Sequence, residues 1–535
     1  FRRQRQMCIR DRLIRALQDE GVEYVFGYPG GAALHIYDAI FRQQKVEHLL
    51  VRHEQAATHM ADGYARATGK PGVCFIITGP GLTNIMTPLG QAYSDSVSML
   101  VLASTLDVGD AAQGRGRLHE MQDQRGAAAT VTQSAATAYT ARDARDLIAE
   151  AFAKFASERP RPCYIEVPID IMSSPAGEGW TTRTAPSAPA PRKRDIDAAV
   201  ALLSDARAPV IIAGGGARHA GDAITRIAEA TGAVIFTTNA GKGTVAESHP
   251  LNAGAMLPQP PASSIVMAAD VVLAAGTEIS ETDLWYQSFN IDNPMIRIDL
   301  DAGSLARPYP AAVAIRADAN ESLTQIADGL PAGPADLKAV HKKVAALTDE
   351  VRENDNDNRD VLRPVLETIR AALPADTIIA TDMTLIAYAG NEIFPVEHPS
   401  CWLHPVGFGT LGYALPAAIG AKAGVGDRPV AAMAGDYGFQ YTINELATAA
   451  ELGEPMPILL WNNNLLGAIH ADMVHKGIQP NAVTQVNPDF QALAKAYGCE
   501  AARPASLADL ATAIAGALKA DCPTLIEMTP EMVKA

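Results

Sequence analysis

The chain has 535 residues, 48% hydrophobic and 19% charged, with a formal net charge of -16. That length accommodates about three domains with full cores, and the acidic balance argues against nucleic acid or an anionic membrane as partner. The cysteines (Cys8, Cys74, Cys163, Cys401, Cys499, Cys522) lack disulfide-framework or zinc spacing, and no apolar run reaches the roughly 18 residues of a membrane span, so a cytoplasmic protein is expected.

The opening FRRQRQMCIRD reads as a foreign leader with the native start lost, and it is set outside the fold. A helix then runs to about Gly21. The strand in VEYVFGYPG enters the turn Gly27–Gly31, and Val73–Thr78 is a buried strand entering TGPG. Ser173–Arg194, rich in Pro, Ala, Ser and Thr, reads as a linker. The middle region opens with APVIIAGGGA and repeats a strand pattern at ADVVLAAGTE and NPMIRIDLD. A second break falls at Gly329–Pro334, followed by a charged helical stretch and the polar run Glu353–Arg359. The last region shows DTIIATD, RPVAAMAGD, a helix, and MPILLWNNN. Alternating strands and helices predict α/β layers with parallel sheets, in three domains over about 12–172, 190–330 and 360–533. Loops at the strands' carboxyl ends should gather on one edge of each sheet.

AGDYGFQYTINELATAAELGEPMPILLWNNN carries the strongest chemical signal. Val430–Ala434 is a strand ending in Gly435-Asp436. A helix follows, with Thr442 and Glu445 spaced as a capping box and Gly453 as its stop. Pro457–Trp461 is a second strand, ending in Asn462-Asn463-Asn464. A right-handed crossover returns it parallel to the first, so Asp436 and Asn463 should lie side by side. A carboxylate and an amide oxygen suit Mg²⁺ that also holds phosphate oxygens. The N–H groups of Tyr437 and Gly438 open towards the helix start, where anions bind.

This segment resembles the thiamine-diphosphate enzyme family of decarboxylases and acetolactate synthases. The resemblance implies metal ligation by Asp436, Asn463 and the Leu465 carbonyl. It places Gly435, Asp436, Tyr437, Gly438, Asn463 and Gly467 at the diphosphate, although the family usually has a smaller residue than Tyr437. RHEQAATHMADGYARATG, Arg52–Gly69, matches the family segment whose glutamate, here Glu54, touches the cofactor's aminopyrimidine. Such a glutamate shares a proton with the ring and so activates the thiazolium carbon. GYPGG before it and TGPGLTN after it complete the pattern, with Pro29, Gly30, Gly31, Pro80 and Asn84 as cofactor contacts. VGFGTLGYALPAAIGAKAG, Val406–Gly424, matches the loop that binds the pyrimidine edge through Gly409 and Leu411, the bulk of Leu411 bending the cofactor. Thr384 is a further expected contact. The family architecture is three doubly wound parallel-sheet domains: pyrimidine-binding, central and diphosphate-binding. It also implies a homodimer or homotetramer in which Glu54 of one subunit serves cofactor held by the other.

Members share the first step on a 2-oxo acid and differ in what captures the product carbanion. Here Leu118-His119-Glu120 replaces the synthases' Phe-Gln-Glu, Ile169 replaces a lysine, and Asp472 replaces a tryptophan. Gly276–Glu281 replaces a segment that contacts FAD, so FAD is not expected. These changes, with GRGRLHEMQDQ and TDMTLIAYAGN, resemble 5-guanidino-2-oxopentanoate decarboxylases. A guanidinium tail prefers a carboxylate, which Asp472 could supply; the other reading is a solvated helix residue. His119 reads either as a proton donor or as a hydrogen-bonded loop histidine. Gly31 and Ala32 are further expected substrate neighbours. Two alternatives stay open: a carboligase, and a nucleotide-binding protein suggested by Gly214–Gly216, whose spacing lacks a dinucleotide pattern.

Overall fold

The structure is a computed structural model that describes residues 7–43, 45–177, 186–285, 293–331, 337–353 and 357–533. Its strands form three parallel sheets. The first contains β1 (Tyr24–Gly27), β2 (Glu47–Leu50), β3 (Gly72–Ile76), β4 (Met99–Thr105), β5 (Ser134–Thr137) and β6 (Cys163–Pro168), in the order β2-β1-β3-β4-β6-β5. The second contains β7 (Val210–Ala213), β8 (Val234–Thr237), β9 (Val272–Ala275), β10 (Met295–Ile298) and β11 (Val313–Ile315), ordered β11-β10-β9-β7-β8. The third contains β12 (Ile378–Thr381), β13 (Trp402–Leu403), β14 (Val430–Gly435), β15 (Pro457–Trp461), β16 (Glu500–Ala502) and β17 (Thr524–Met528), ordered β13-β12-β14-β15-β17-β16. The first and third sheets thus share one strand order.

The central strands are continuous apolar runs because both faces are covered by helices. β3, β4, β14, β15 and β17 are buried along their whole length. The outer sheets are joined by two helices, Glu54–Thr68 and Ala414–Val425. A Cβ on Gly63 would lie 2.0 Å from the Ala417 carbonyl oxygen, and one on Gly420 would lie 1.9 Å from that of Met60. Glycine at both points lets the two backbones touch. One apolar cluster consequently runs from Phe26 and Met60 through Ile419 to Val430 and Ile458. Among the described residues no helix is long and apolar enough to cross a membrane.

Three expectations are corrected. Residues Cys8–Asp11, set aside as leader, start the helix Ile9–Asp19. The Asp11 carboxylate accepts from the Cys8 N–H at 2.9 Å, and Cys8 bridges Pro175. Within the polar run, Glu353 ends the helix Lys338–Glu353 and residues 357–359 already belong to the helix Asp357–Ala372, while residues 354–356 lie outside the described residues. The capping box at Thr442 and Glu445 does not form. The segment is two helices, Asp436–Tyr441 and Leu446–Leu452, separated by a 3₁₀ turn. Thr442 instead donates to the Gly412 carbonyl at 2.9 Å, and Glu445 accepts from the Arg52 N–H at 3.0 Å. Gly453 does end the second helix, at φ 68°. Parts of both linkers, residues 178–185 and 332–336, lie outside the described residues.

Candidate functional site

At the first sheet, Glu54 opens its helix behind the N-cap His53. It is 8% exposed, and its Oε2 accepts from Asn84 Nδ2 at 2.9 Å. Two expected cofactor residues from different elements therefore meet. Asn84 rides on the helix that begins at Pro80. The turn before it is locked by Gln124, a residue the sequence reading did not single out. Gln124 Oε1 accepts from Thr78 Oγ1 at 2.6 Å and from the Gly79 N–H at 2.9 Å. Its Nε2 lies within 3.1 Å of the Ser104 carbonyl, Tyr164 Oη and Glu166 Oε2. His119, at φ 66°, packs on the same turn: a Cβ on Gly79 would lie 2.6 Å from its carbonyl oxygen. Pro29, Gly30, Gly31 and Ala32 follow β1. A Cβ on Gly30 would meet Ile77 Cγ2 at 2.8 Å, so the missing side chain lets this turn lie against the end of β3.

At the third sheet, Gly435 of β14 stands in register with Trp461 of β15. Asp436 and the asparagines therefore leave neighbouring strands at one level. Asp436 is 3% exposed. Its Oδ1 accepts from the Tyr437 N–H at 3.1 Å, which occupies one of the two amides expected to face an anion. Its Oδ2 accepts from Asn487 Nδ2 at 2.7 Å. Burial pushes the Asp436 carboxyl above its ordinary range, and the Asn487 hydrogen bond pulls it partly back. Asn463 Oδ1 accepts from the Leu465 N–H at 3.2 Å, and Asn464 turns the chain at φ 55°. Space is kept by small residues. A Cβ on Gly435 would meet Thr384 Oγ1 at 2.5 Å, one on Gly438 would meet Asp382 Oδ2 at 2.8 Å, and one on Gly467 would meet Leu385 Cδ1 at 2.3 Å.

The loop holding Gly409 and Leu411 is fixed from both sides. Asp382, 1% exposed, accepts from the Gly412 N–H, and burial pushes its carboxyl up to about 6. From the first sheet's helices, Asp95 accepts from the N–H groups of Val406 at 3.0 Å and Gly407 at 2.7 Å. Gln91 Oε1 accepts from the Thr410 N–H at 3.3 Å. Arg66 closes this brace, pairing with Asp62 at 2.6 Å and Asp95 at 2.8 Å. In return, Glu445 of the third sheet holds Arg52, two residues before Glu54. Burial pushes the Glu445 carboxyl up to about 7. Asp472 stands apart on the helix Gly467–His475, of which no residue is buried, paired with Lys476 at 2.7 Å.

Among the described residues no cluster of three His, Cys, Asp or Glu could hold a metal. The oxygens at the third sheet are different: one desolvated carboxylate near the side-chain amide oxygens of Asn462 and Asn464. That donor set fits Mg²⁺, which takes few carboxylates alongside phosphate oxygens.

Comparison with known proteins bears on what this geometry serves. Three family models match in chain order: the thiamine pyrophosphate enzyme N-terminal binding domain over 7–127, the central domain over 196–326 and the C-terminal binding domain over 382–528. The chain is 43% identical to a probable 2-ketoarginine decarboxylase, AruI, of Pseudomonas aeruginosa, over 98% of this chain and 94% of that protein. It is 33% identical to the acetolactate synthase large subunit of Corynebacterium glutamicum, over 94% and 83%. It is 30% identical to the acetolactate synthase isozyme 3 large subunit of Escherichia coli, over 91% and 88%. With three parallel-sheet domains and these relatives along nearly its whole length, the chain belongs to the thiamine pyrophosphate enzyme family.

Proposed function

We propose that the protein decarboxylates a 2-oxo acid using thiamine diphosphate and Mg²⁺, and that the substrate is 5-guanidino-2-oxopentanoate, released as 4-guanidinobutanal and CO₂. The observation that carries this reading is the 43% identity to a probable 2-ketoarginine decarboxylase over 98% of the chain, against 33% to a synthase. When bound, thiamine diphosphate supplies the electron sink that lets a 2-oxo acid lose CO₂.

The chain's own groups divide the remaining work. Asp436, Asn463 and the Leu465 carbonyl would hold Mg²⁺. Gly435, Tyr437, Gly438, Gly467 and Thr384 would surround the diphosphate. Gly409 and Leu411 would meet the pyrimidine, together with Pro29, Gly30, Gly31, Pro80 and Asn84. Glu54, with Oε2 held by Asn84, would share a proton with the pyrimidine ring of the bound cofactor. His119, beside the Gly79 turn, delivers the proton that completes an aldehyde; Gly31 and Ala32 border the substrate. Asp472 receives the guanidinium, which must then displace its Lys476 partner. Two chains complete each site, Glu54 from one and Asp436 from the other, in the cytoplasm.

The synthases among the relatives favour a second reading, carboligation of two 2-oxo acids. A CO₂-release assay over a panel of 2-oxo acids, with product identification, separates the two. The guanidino acid should be the best substrate and yield aldehyde. Acetolactate as the main product from pyruvate would overturn the decarboxylase reading.

A further inference from the structure

Asn487 lies outside the motifs legible in the sequence, yet its amide bridges the loops at the third sheet's edge. Its Nδ2 lies 2.7 Å from Asp436 Oδ2, 2.8 Å from Asn462 Oδ1 and 3.1 Å from Asn464 Oδ1. Three oxygens on the loops that leave β14 and β15 thus converge on one donor nitrogen. The orientation of the amide is not arbitrary. Its Oδ1 accepts from Gln440 Nε2 at 3.1 Å and from Gln485 Nε2 at 2.6 Å. Turning the amide over would set its NH₂ against two other NH₂ groups and its oxygen against three oxygens. Gln440 is itself tied down, donating to the Asp436 carbonyl at 3.0 Å.

The backbone delivers Asn487 to this point. The Leu466 N–H donates to the Val483 carbonyl at 2.8 Å, and Leu465 pairs with Thr484 in an antiparallel bridge. The chain after the helix Gly467–His475 therefore folds back along Asn464–Leu466 before Asn487 reaches across to Asp436.

We propose that Asn487 is a positioning residue for the divalent cation: it holds the Asp436 carboxylate and the asparagine turn in one fixed arrangement, so that the cation meets a preassembled oxygen set. The proposal rests on the reading of Asp436 as a metal ligand. Residues that orient metal ligands typically contribute about 10–100-fold to metal affinity. Asn487 differs from an ordinary loop brace in one testable respect. Exchanging its NH₂ for oxygen leaves both glutamine contacts possible and sets a second carboxylate against Asp436.

The experiment is Mn²⁺ binding to the full chain with thiamine diphosphate, followed by electron paramagnetic resonance, together with melting curves with and without Mn²⁺. Asn487→Ala should weaken Mn²⁺ about 10-fold or more while the metal-free chain still melts cooperatively. Asn487→Asp should melt earlier than the parent without metal, from carboxylate repulsion, and gain a larger upward shift than the parent when Mn²⁺ is added. Gln485→Met, which frees one side of the amide, should weaken Mn²⁺ in the same direction and decides the question if Asn487→Ala does not fold. Unchanged Mn²⁺ affinity in the folded variant, with or without a lower melting temperature, would overturn the proposal. Asp436→Asn separates the two layers: if that variant binds Mn²⁺ normally, the metal reading itself is wrong. If it loses Mn²⁺ and Asn487→Ala does not, only the role of Asn487 falls.

Discussion

The first and third sheets share a strand order and present their loops from the same kind of edge, yet they carry different chemistry. After β2 comes Glu54, and its Asn84 partner lies on the helix after β3: a carboxylate held by one side-chain amide. After β14 and β15 come Asp436 and Asn462–Asn464, a carboxylate and two amide oxygens spanned by the Asn487 NH₂. After β1 the chain places Tyr28, 43% exposed; after the corresponding β12 it places Asp382, 1% exposed. One scaffold thus carries two different loop sets, which we propose serve proton sharing at the first edge and cation holding at the third, because loops at strand ends can vary while the buried strands beneath them cannot. The middle sheet has another order, with the Gly214–Gly216 turn after its β7.

This division of labour can be broken one edge at a time. The largest effect belongs to the first edge. Glu54→Gln keeps the shape and the Asn84 contact, so thiamine diphosphate should still bind in a calorimetric titration, while kcat falls by about 10²–10⁴-fold. Retained turnover would remove the proton-sharing role.

A smaller effect tests the third edge. Asp382 has its pKa raised from 3.8 to about 6 by burial. The folded chain therefore holds a proton more tightly than the unfolded one. The stabilisation from that proton is complete below the unfolded value and is lost as pH rises through the folded one. In Asp382→Asn this dependence should vanish. Across that window the parent should lose on the order of 3 kcal/mol relative to the variant in denaturant unfolding. Parallel pH profiles would show that Asp382 is ionised in the fold.

The smallest effect sharpens substrate choice. Asp472→Asn should raise KM for the guanidino acid by about 10-fold and leave an uncharged 2-oxo acid of similar length unaffected. Equal KM changes for both would return Asp472 to a solvated partner of Lys476.

The sequence made some of this legible and hid the rest for a physical reason. Asp436 and Asn463 sit at strand ends, which show as apolar runs that stop at Gly, Asp or Asn, whereas Glu54 was legible only through the family resemblance of its segment. Strand adjacency then follows from the handedness of the crossover, as the register of Gly435 with Trp461 bears out. Gln124, Asp382, Glu445 and Asn487 escaped because their partners are set by packing rather than spacing. Gln124 reaches a turn 45 positions back, and Glu445 reaches an amide 393 positions back. The missing capping box has the same cause: Thr442 and Glu445 have the right spacing, but tertiary partners at Gly412 and Arg52 took their side chains. Asp472 is the reverse case. Its position was singled out by comparison with synthases, and the fold places it on an exposed helix with a lysine neighbour.

We propose that each site is assembled from the first edge of one chain and the third edge of another. Coexpressing Glu54→Gln and Asp436→Asn chains and measuring CO₂ release tests it directly. Each parent variant should be inactive alone. A mixed dimer would hold one site with both edges intact, so random assembly should restore about a quarter of full activity. If the coexpressed mixture is as inactive as either variant alone, both edges of a site come from one chain and the account is contradicted.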